Sequence, residues 1–400
     1  MTSGSTRFLS LAATLAVFAL AVAACGGGTT TTSGGGTLQA GTINVGFGNN
    51  LTGFLAVHDS VISDGAKAEV DQINSKGGIG GKLKINLNLE DTKTDPGASV
   101  QVAKDFVAKP VDVVVLPCNT DFQVAMAAVT QQANIFTLSP CNADPTLGSK
   151  FSVYWPVGMA GNAQMSQLAD YAKSKGYTKA YVLDAPDFLY IHLMTQYFEK
   201  AASSRGISIS GSDVIHVGPT DFSAQVTKIK NANPAPDVIM TGLFSPFVDA
   251  LAKQLRAVGV NTPIIGSDGM DTGLDLQAGG SAVEGDTFST FGFPTAGSPL
   301  ATFYDQLKAA TGSSPDGSYA ALGAATIQVL EAVILKANSS KPADMEKVLS
   351  DGLTVHTALG DIVYLGSGNH NPTDSVAVVT ISGGAFKLVT LSVPSNVPAP

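Results

Sequence analysis

The stretch 111–116, Val-Asp-Val-Val-Val-Leu, constrains the fold more than any other part of the chain. It is a β-branched run with almost no polar face, so it reads as a strand buried on both sides. Such a strand needs helices above and below it, and the surrounding sequence supplies them. Ile43, Val45 and Phe47 alternate with polar residues as a first strand, and Val61, Ala66, Val70 and Ile73 form a helical stripe closed by Lys76-Gly77-Gly78. Residues 84–90 alternate again and 100–107 carry a helical pattern. The rhythm continues through helix 123–133, strand 135–138, helix 162–175 and strand 180–183. Helices 195–205, 222–231 and 246–258 follow, with strands 238–242 and 263–266 among them. Strand and helix in alternation predict an α/β fold with parallel sheets covered on both faces. With 400 residues, 44% of them apolar, the chain is too long for one ordinary core, so two lobes are expected.

Ligands of open parallel sheets sit beyond the carboxyl ends of the strands. That rule selects the loops 50–59, 117–122, 139–144, 184–190, 243–246 and 267–271, each rich in small polar or aromatic residues.

The N-terminus carries a separate signal. Arg7 precedes an apolar run over 8–24, which reads as a signal peptide spanning 1–24. The run ends in Val22-Ala23-Ala24-Cys25, which resembles the lipobox of bacterial lipoproteins. The resemblance implies acylation of Cys25 and an extracytoplasmic protein anchored to the cell membrane. Residues 25–41 are then the lipidated Cys and a flexible Gly/Thr/Ser tether, too poor in apolar surface to fold. The net charge of −9 and the lack of any basic run argue against a nucleic-acid partner. The histidines at 58, 192, 216, 356 and 370 are scattered without metal-ligand spacing, so neither metal nor cofactor is expected.

Several stretches, taken in order, resemble the leucine/isoleucine/valine-binding branch of the periplasmic binding proteins. They are Leu51-Thr52-Gly53, Gly65-Ala66 running to the segment from Ile73 to Gly81, Glu90-Asp91 with Asp95-Pro96, Leu138-Ser139-Pro140, Thr220-Asp221-Phe222-Ser223 and Gly266-Ser267-Asp268-Gly269. The glycines before Lys82 are no phosphate loop, because they follow a helix and no Ser or Thr succeeds the Lys. The resemblance implies two Rossmann-like lobes joined by three hinge crossings, near Tyr154-Trp155-Pro156, near 288–291 and near Leu359-Gly360. The first lobe would comprise 42–155 with 290–359, and the second 156–289 with 360–395. It also implies a non-enzymatic protein that closes on a branched-chain or other hydrophobic amino acid, or a related amphipathic solute. Permease subunits of an ABC importer, with their ATPases, would be its partners.

The same resemblance assigns roles. Asp268 falls where the family pairs an acidic residue with the solute's amino group, although Ser-Asp-Gly is also ordinary turn chemistry. Asn119, Thr120, Cys141, Asn142 and Ala143 fall in the loops that hold the solute carboxylate. Here Asn119 stands for a usual Ser and Ala143 for a usual Thr, which removes two hydroxyl donors. Phe188 and Phe244 take positions of wall tyrosines, with core packing as their other reading, and His58 takes a first-loop aromatic position. Ala324 lies near a helix position often held by Tyr, which implies extra room. Cys118 and Cys141 follow strands expected to be neighbours, and strand spacing suits a disulfide between them.

Two other functions fit the same features. A clamshell of this kind could present its ligand to a membrane receptor, since fold does not separate transport from sensing. A lipid-anchored hydrolase is the third reading, but the chain holds no Gly-x-Ser-x-Gly elbow.

Overall fold

A computed structural model describes residues 38–109 and 111–400. The expected signal peptide, Cys25 and the expected tether up to residue 37 lie outside the described residues. Among the described residues fifteen strands carry the architecture: β1 Gly41–Asn49, β2 Leu83–Asp91, β3 Val113–Val115, β4 Phe136–Ser139, β5 Tyr154–Pro156, β6 Lys179–Asp184, β7 Ser208–Val214, β8 Val238–Thr241, β9 Ile264–Gly266, β10 Thr287–Thr290, β11 Leu353–Thr357, β12 Gly360–Tyr364, β13 Pro372–Thr373, β14 Val376–Ile381 and β15 Phe386–Ser392.

The first sheet has the order β2-β1-β3-β4-β5, and all its pairs are parallel. The all-apolar β3 lies at its centre with every residue buried, as a strand without a polar face requires. The second sheet has the order β15-β14-β10-β9-β8-β6-β7. Its strands from β7 to β10 are parallel, and β14 and β15 extend it antiparallel. Each sheet has its own core. Val45, Val113, Leu138 and Leu330 belong to one, and Leu183, Met240, Ile265 and Phe198 to the other.

The chain passes between the lobes after β5, after β10 and after β13. The last passage differs from the expected crossing at Leu359-Gly360. There Thr357 pairs with Gly360 across a two-residue hairpin turn, and Gly360 holds a φ of +104° that favours glycine. The strands β11 to β13 form a small sheet, and Val355, Ile362 and Tyr364 pack into the first core. Residues 360–373 therefore belong with the first lobe.

Two helices of the first lobe, Ala56–Ser75 and Tyr319–Ala337, touch backbone to backbone. A Cβ at Gly65 would strike the Ala320 carbonyl, and one at Gly323 would strike the Ile62 carbonyl. Glycine at both positions lets the helices approach closely enough to bring His58 and Tyr319 together, their rings 5.1 Å apart. Tyr319–Ala337 is apolar enough for a membrane span, yet Leu322, Ile327, Leu330 and Val333 are wholly buried in protein, which makes it a core helix.

Candidate functional site

The carboxyl ends of β3 and β4 in one lobe, and of β6, β8 and β9 in the other, meet at a narrow cleft between the sheets. Its first-lobe wall includes Leu55, His58, Asp59, Asn119, Asn142 and Ala143. Its second-lobe wall includes Gln164, Tyr190, Phe244, Asp268 and Gly269, while Phe291 and Tyr319 close it at the second crossing.

The first-lobe wall is fixed by covalent and polar bracing. Cys118 and Cys141 form a disulfide with Cα atoms 4.8 Å apart, across the neighbouring ends of β3 and β4. Buried Gln123 donates its side-chain amide to the carbonyls of Pro117 at 2.9 Å, Cys118 at 2.6 Å and Cys141 at 3.3 Å. Asn119 is the N-cap of helix Thr120–Ala133, its Oδ1 accepting from the Asp121 N–H at 2.9 Å. The side-chain amide of Asn142 donates to Asn371 Oδ1 at 3.0 Å, which leaves its own buried Oδ1 without a protein partner.

The second-lobe wall is organised around a buried carboxyl. Asp268 is 4% exposed and accepts from the Tyr190 hydroxyl at 2.9 Å and the Tyr319 hydroxyl at 2.9 Å, one to each oxygen. Burial raises its pKa, and the hydroxyl hydrogen bonds pull it part of the way back. Next to it, Gly269 accepts at its carbonyl from His58 Nε2, 3.1 Å away in the other lobe. Burial drives the His58 pKa down to about 4, so the ring is neutral at physiological pH and Nε2 carries the proton of that bond. Asp271 ties the same loop to the second crossing, its Oδ2 accepting from the Ser318 N–H at 2.8 Å and the Thr290 hydroxyl at 2.5 Å. Tyr319 is the residue after Ser318, so this bond also fixes the helix start that carries the second phenol.

A cluster of phenylalanines joins the two lobes. Phe54, from the first lobe, stacks on Phe244 of the second at 6.0 Å and lies 6.3 Å from Phe188 and 6.2 Å from Phe247. Such ring contacts are favourable beyond the area they bury.

Of the residues singled out from sequence, His58, Asn119, Cys141, Asn142, Ala143, Phe244 and Asp268 line the cleft. Thr120 does not; its side chain is fully buried within the first helical turn. Phe188 does not either, because it packs on Phe54 and Phe244 outside the lining. Ala324 makes no room in the cleft, since it is buried against Leu300 and Phe303 in a separate cluster. Sequence reasoning passed over Leu55, Asp59, Gln164, Tyr190, Phe291 and Tyr319. Leu55, Asp59 and Tyr190 fall within the segments 50–59 and 184–190 that the strand-end rule selects, which was the available signal, although Asp59 and Tyr190 lie in the first turns of helices. Gln164 and Tyr319 sit in helices, where a polar or aromatic residue carries no mark of the cleft. Among the described residues no group of metal-ligating side chains is assembled.

Residues 42–385 match a family described as periplasmic binding protein. The chain is 28% identical over 325 residues to the Leu/Ile/Val-binding protein BraC3 of Rhizobium johnstonii, covering 80% of this chain and 87% of that one. It is 26% identical over 330 residues to the Leu/Ile/Val-binding protein homolog 3 of Brucella melitensis, covering 82% and 88%. The fold is similar to that of a leucine binding protein, LivK, from Thermotoga maritima, with a TM-score of 0.81 at 21% identity over 88% of this chain and 99% of that one. It is also similar to a solute binding protein of an ABC transporter from R. palustris in complex with benzoate, with a TM-score of 0.78 at 17% identity over 90% and 98%.

Proposed function

Because the chain belongs to the periplasmic binding protein family, we propose that it is the extracytoplasmic solute-binding protein of an ABC importer, closing on a branched-chain or other hydrophobic amino acid or a related small amphipathic solute. It acts without catalysis and passes its solute to permease subunits driven by their ATPases. A lipid on Cys25 would hold it at the membrane.

The observation that carries this reading is Asp268, a buried carboxyl beside an apolar wall. A carboxylate in a water-poor cleft is costly unless paired, and a solute ammonium is its natural partner. The two phenol bonds occupy one acceptor site on each oxygen and leave further lone pairs for an ammonium. Phe244 and Phe291 would take the solute's apolar part. On the opposite wall the usual hydroxyls are replaced by Asn119 and Ala143. Backbone N–H groups beyond β3 and β4 therefore have to carry a larger share of any carboxylate.

A thermal-shift screen of the purified protein against amino acids, amides, small aromatic acids and sugars tests the proposal, since a solute that binds only the folded state raises its melting temperature. Leucine, isoleucine, valine or phenylalanine should raise it, and Asp268→Ala should abolish the rise. A rise with non-amine solutes alone would remove the ammonium from the reading of Asp268. No rise with any solute would overturn the function.

A further inference from the structure

The second-lobe helix Leu189–Ser204 begins at the cleft without a cap of its own. Its N-cap residue is Phe188, whose side chain has no acceptor to offer. The first N–H groups of a helix have no partner within it, and closing the lobes takes these two out of water. Their acceptor comes from the other lobe. Asp121, in the first turn of helix Thr120–Ala133, accepts from the Leu189 N–H at 2.8 Å on one oxygen and from the Tyr190 N–H at 3.1 Å on the other. Burial raises the Asp121 pKa, and these two N–H bonds pull it back.

Tyr190 is also the residue whose phenol holds Asp268 and approaches the Gly269 N–H at 3.4 Å. A chain of contacts thus runs from Asp121 through the Tyr190 backbone to the Tyr190 hydroxyl and the Asp268 carboxyl. Phe122, the next residue after Asp121, packs into the second-lobe core and supports the same approach.

We propose that Asp121 is a positioning residue for closure: without being counted among the cleft's lining residues, it caps the second-lobe helix only when the lobes are together and so sets the balance between open and closed forms. The inference rests on reading the cleft as a solute clamp. In the open protein the Leu189 and Tyr190 N–H groups return to water. In a closed protein lacking the Asp121 carboxyl they would be partly buried and unpaired, which favours opening.

The test uses solute-free protein, so that it stands apart from the identity of the solute. Amide hydrogen exchange is followed by NMR in the native protein, Asp121→Ala and Asp121→Asn, with small-angle scattering on the same samples. The alanine variant should exchange at Leu189 and Tyr190 about tenfold faster or more. The asparagine variant should fall between, because its single carbonyl oxygen keeps one acceptor. The radius of gyration should rise in the alanine variant, with a fall in melting temperature no larger than the lost closed form accounts for. Unchanged exchange at these two amides would show that the cap does not form. Faster exchange with an unchanged radius would show that it forms without governing closure. A fall in melting temperature with the radius unchanged would make Asp121 an ordinary fold-stabilising residue. Each of these three results overturns the proposal.

Discussion

Two helices start at the cleft within a few ångströms of each other, and they are finished in opposite ways. Helix Thr120–Ala133 is capped by its own preceding residue, Asn119, and its loop is pinned by the Cys118–Cys141 disulfide and by Gln123. Helix Leu189–Ser204 has no local cap and takes its acceptor from Asp121 across the cleft. One helix start is therefore capped from within its own lobe, and the other takes its cap from across the cleft. A clamp built this way has a rigid jaw and a jaw that matures on contact. Affinity then depends on residues, such as Asp121, that the cleft lining itself does not include.

The largest expected effect lies on the rigid jaw. Replacing both Cys118 and Cys141 by alanine opens a loop with a sequence separation of 23 residues, for which loop entropy predicts a loss of about 3 kcal/mol of unfolding free energy. Urea unfolding of the solute-free protein measures it. If that loss appears only with solute present, the first-lobe loops are also assembled by closure, and the contrast between the jaws fails. A smaller effect is expected for Asn119→Ala, which removes a local N-cap at a cost of about 1 kcal/mol. It should lower stability in the same assay and leave the exchange of the Leu189 and Tyr190 amides as it was. Faster exchange at those amides would mean that the cap on one helix positions Asp121 for the other, coupling the two jaws.

The difference between the jaws also explains what the sequence disclosed. The central strands, their order of appearance and the loops at their carboxyl ends were legible because β-branched runs such as 111–116 and alternations such as Ile43, Val45 and Phe47 are local patterns. The disulfide followed from two neighbouring strand ends. By contrast β7, Ser208–Val214, has the sequence SISGSDV and lies at a sheet edge with no residue buried, so no apolar pattern announced it. The hairpin at Thr357–Gly360 reads as a crossing in sequence, because a turn and a passage between lobes look alike until pairing partners are known. Tyr190, Tyr319 and Asp121 act through partners 78, 51 and 68 residues away in sequence. Tyr190 meets Asp268 within the second lobe, while Tyr319 and Asp121 reach across the cleft, and no local periodicity encodes either kind of contact.

A third helix, Ala56–Ser75, also starts at the cleft and sharpens the contrast through pH, with the smallest expected effect in the native protein. It has no side-chain cap, and its first turn buries two neighbouring titratable groups, His58 and Asp59. Burial lifts the Asp59 pKa from an ordinary 3.8 to about 7, against hydrogen bonds from the Asn50 side chain and backbone. A raised carboxyl pKa contributes stability that is complete below about 4 and is lost as pH rises through about 7. Burial lowers the His58 pKa from 6.5 to about 4, so its contribution is complete above 6.5 and is lost as pH falls through about 4. Over the interval from about 4 to 6.5 the two slopes oppose each other, and their combined effect on native stability is expected to be near zero. Asp59→Asn should remove one slope and leave a protein that gains stability, relative to the native one, as pH rises across that interval. His58→Gln should do the reverse. Urea unfolding at pH steps through the interval reads both differences. Parallel curves for native and variant proteins would mean that these groups keep ordinary pKa values, and hence that water reaches this helix start as it reaches the open jaw.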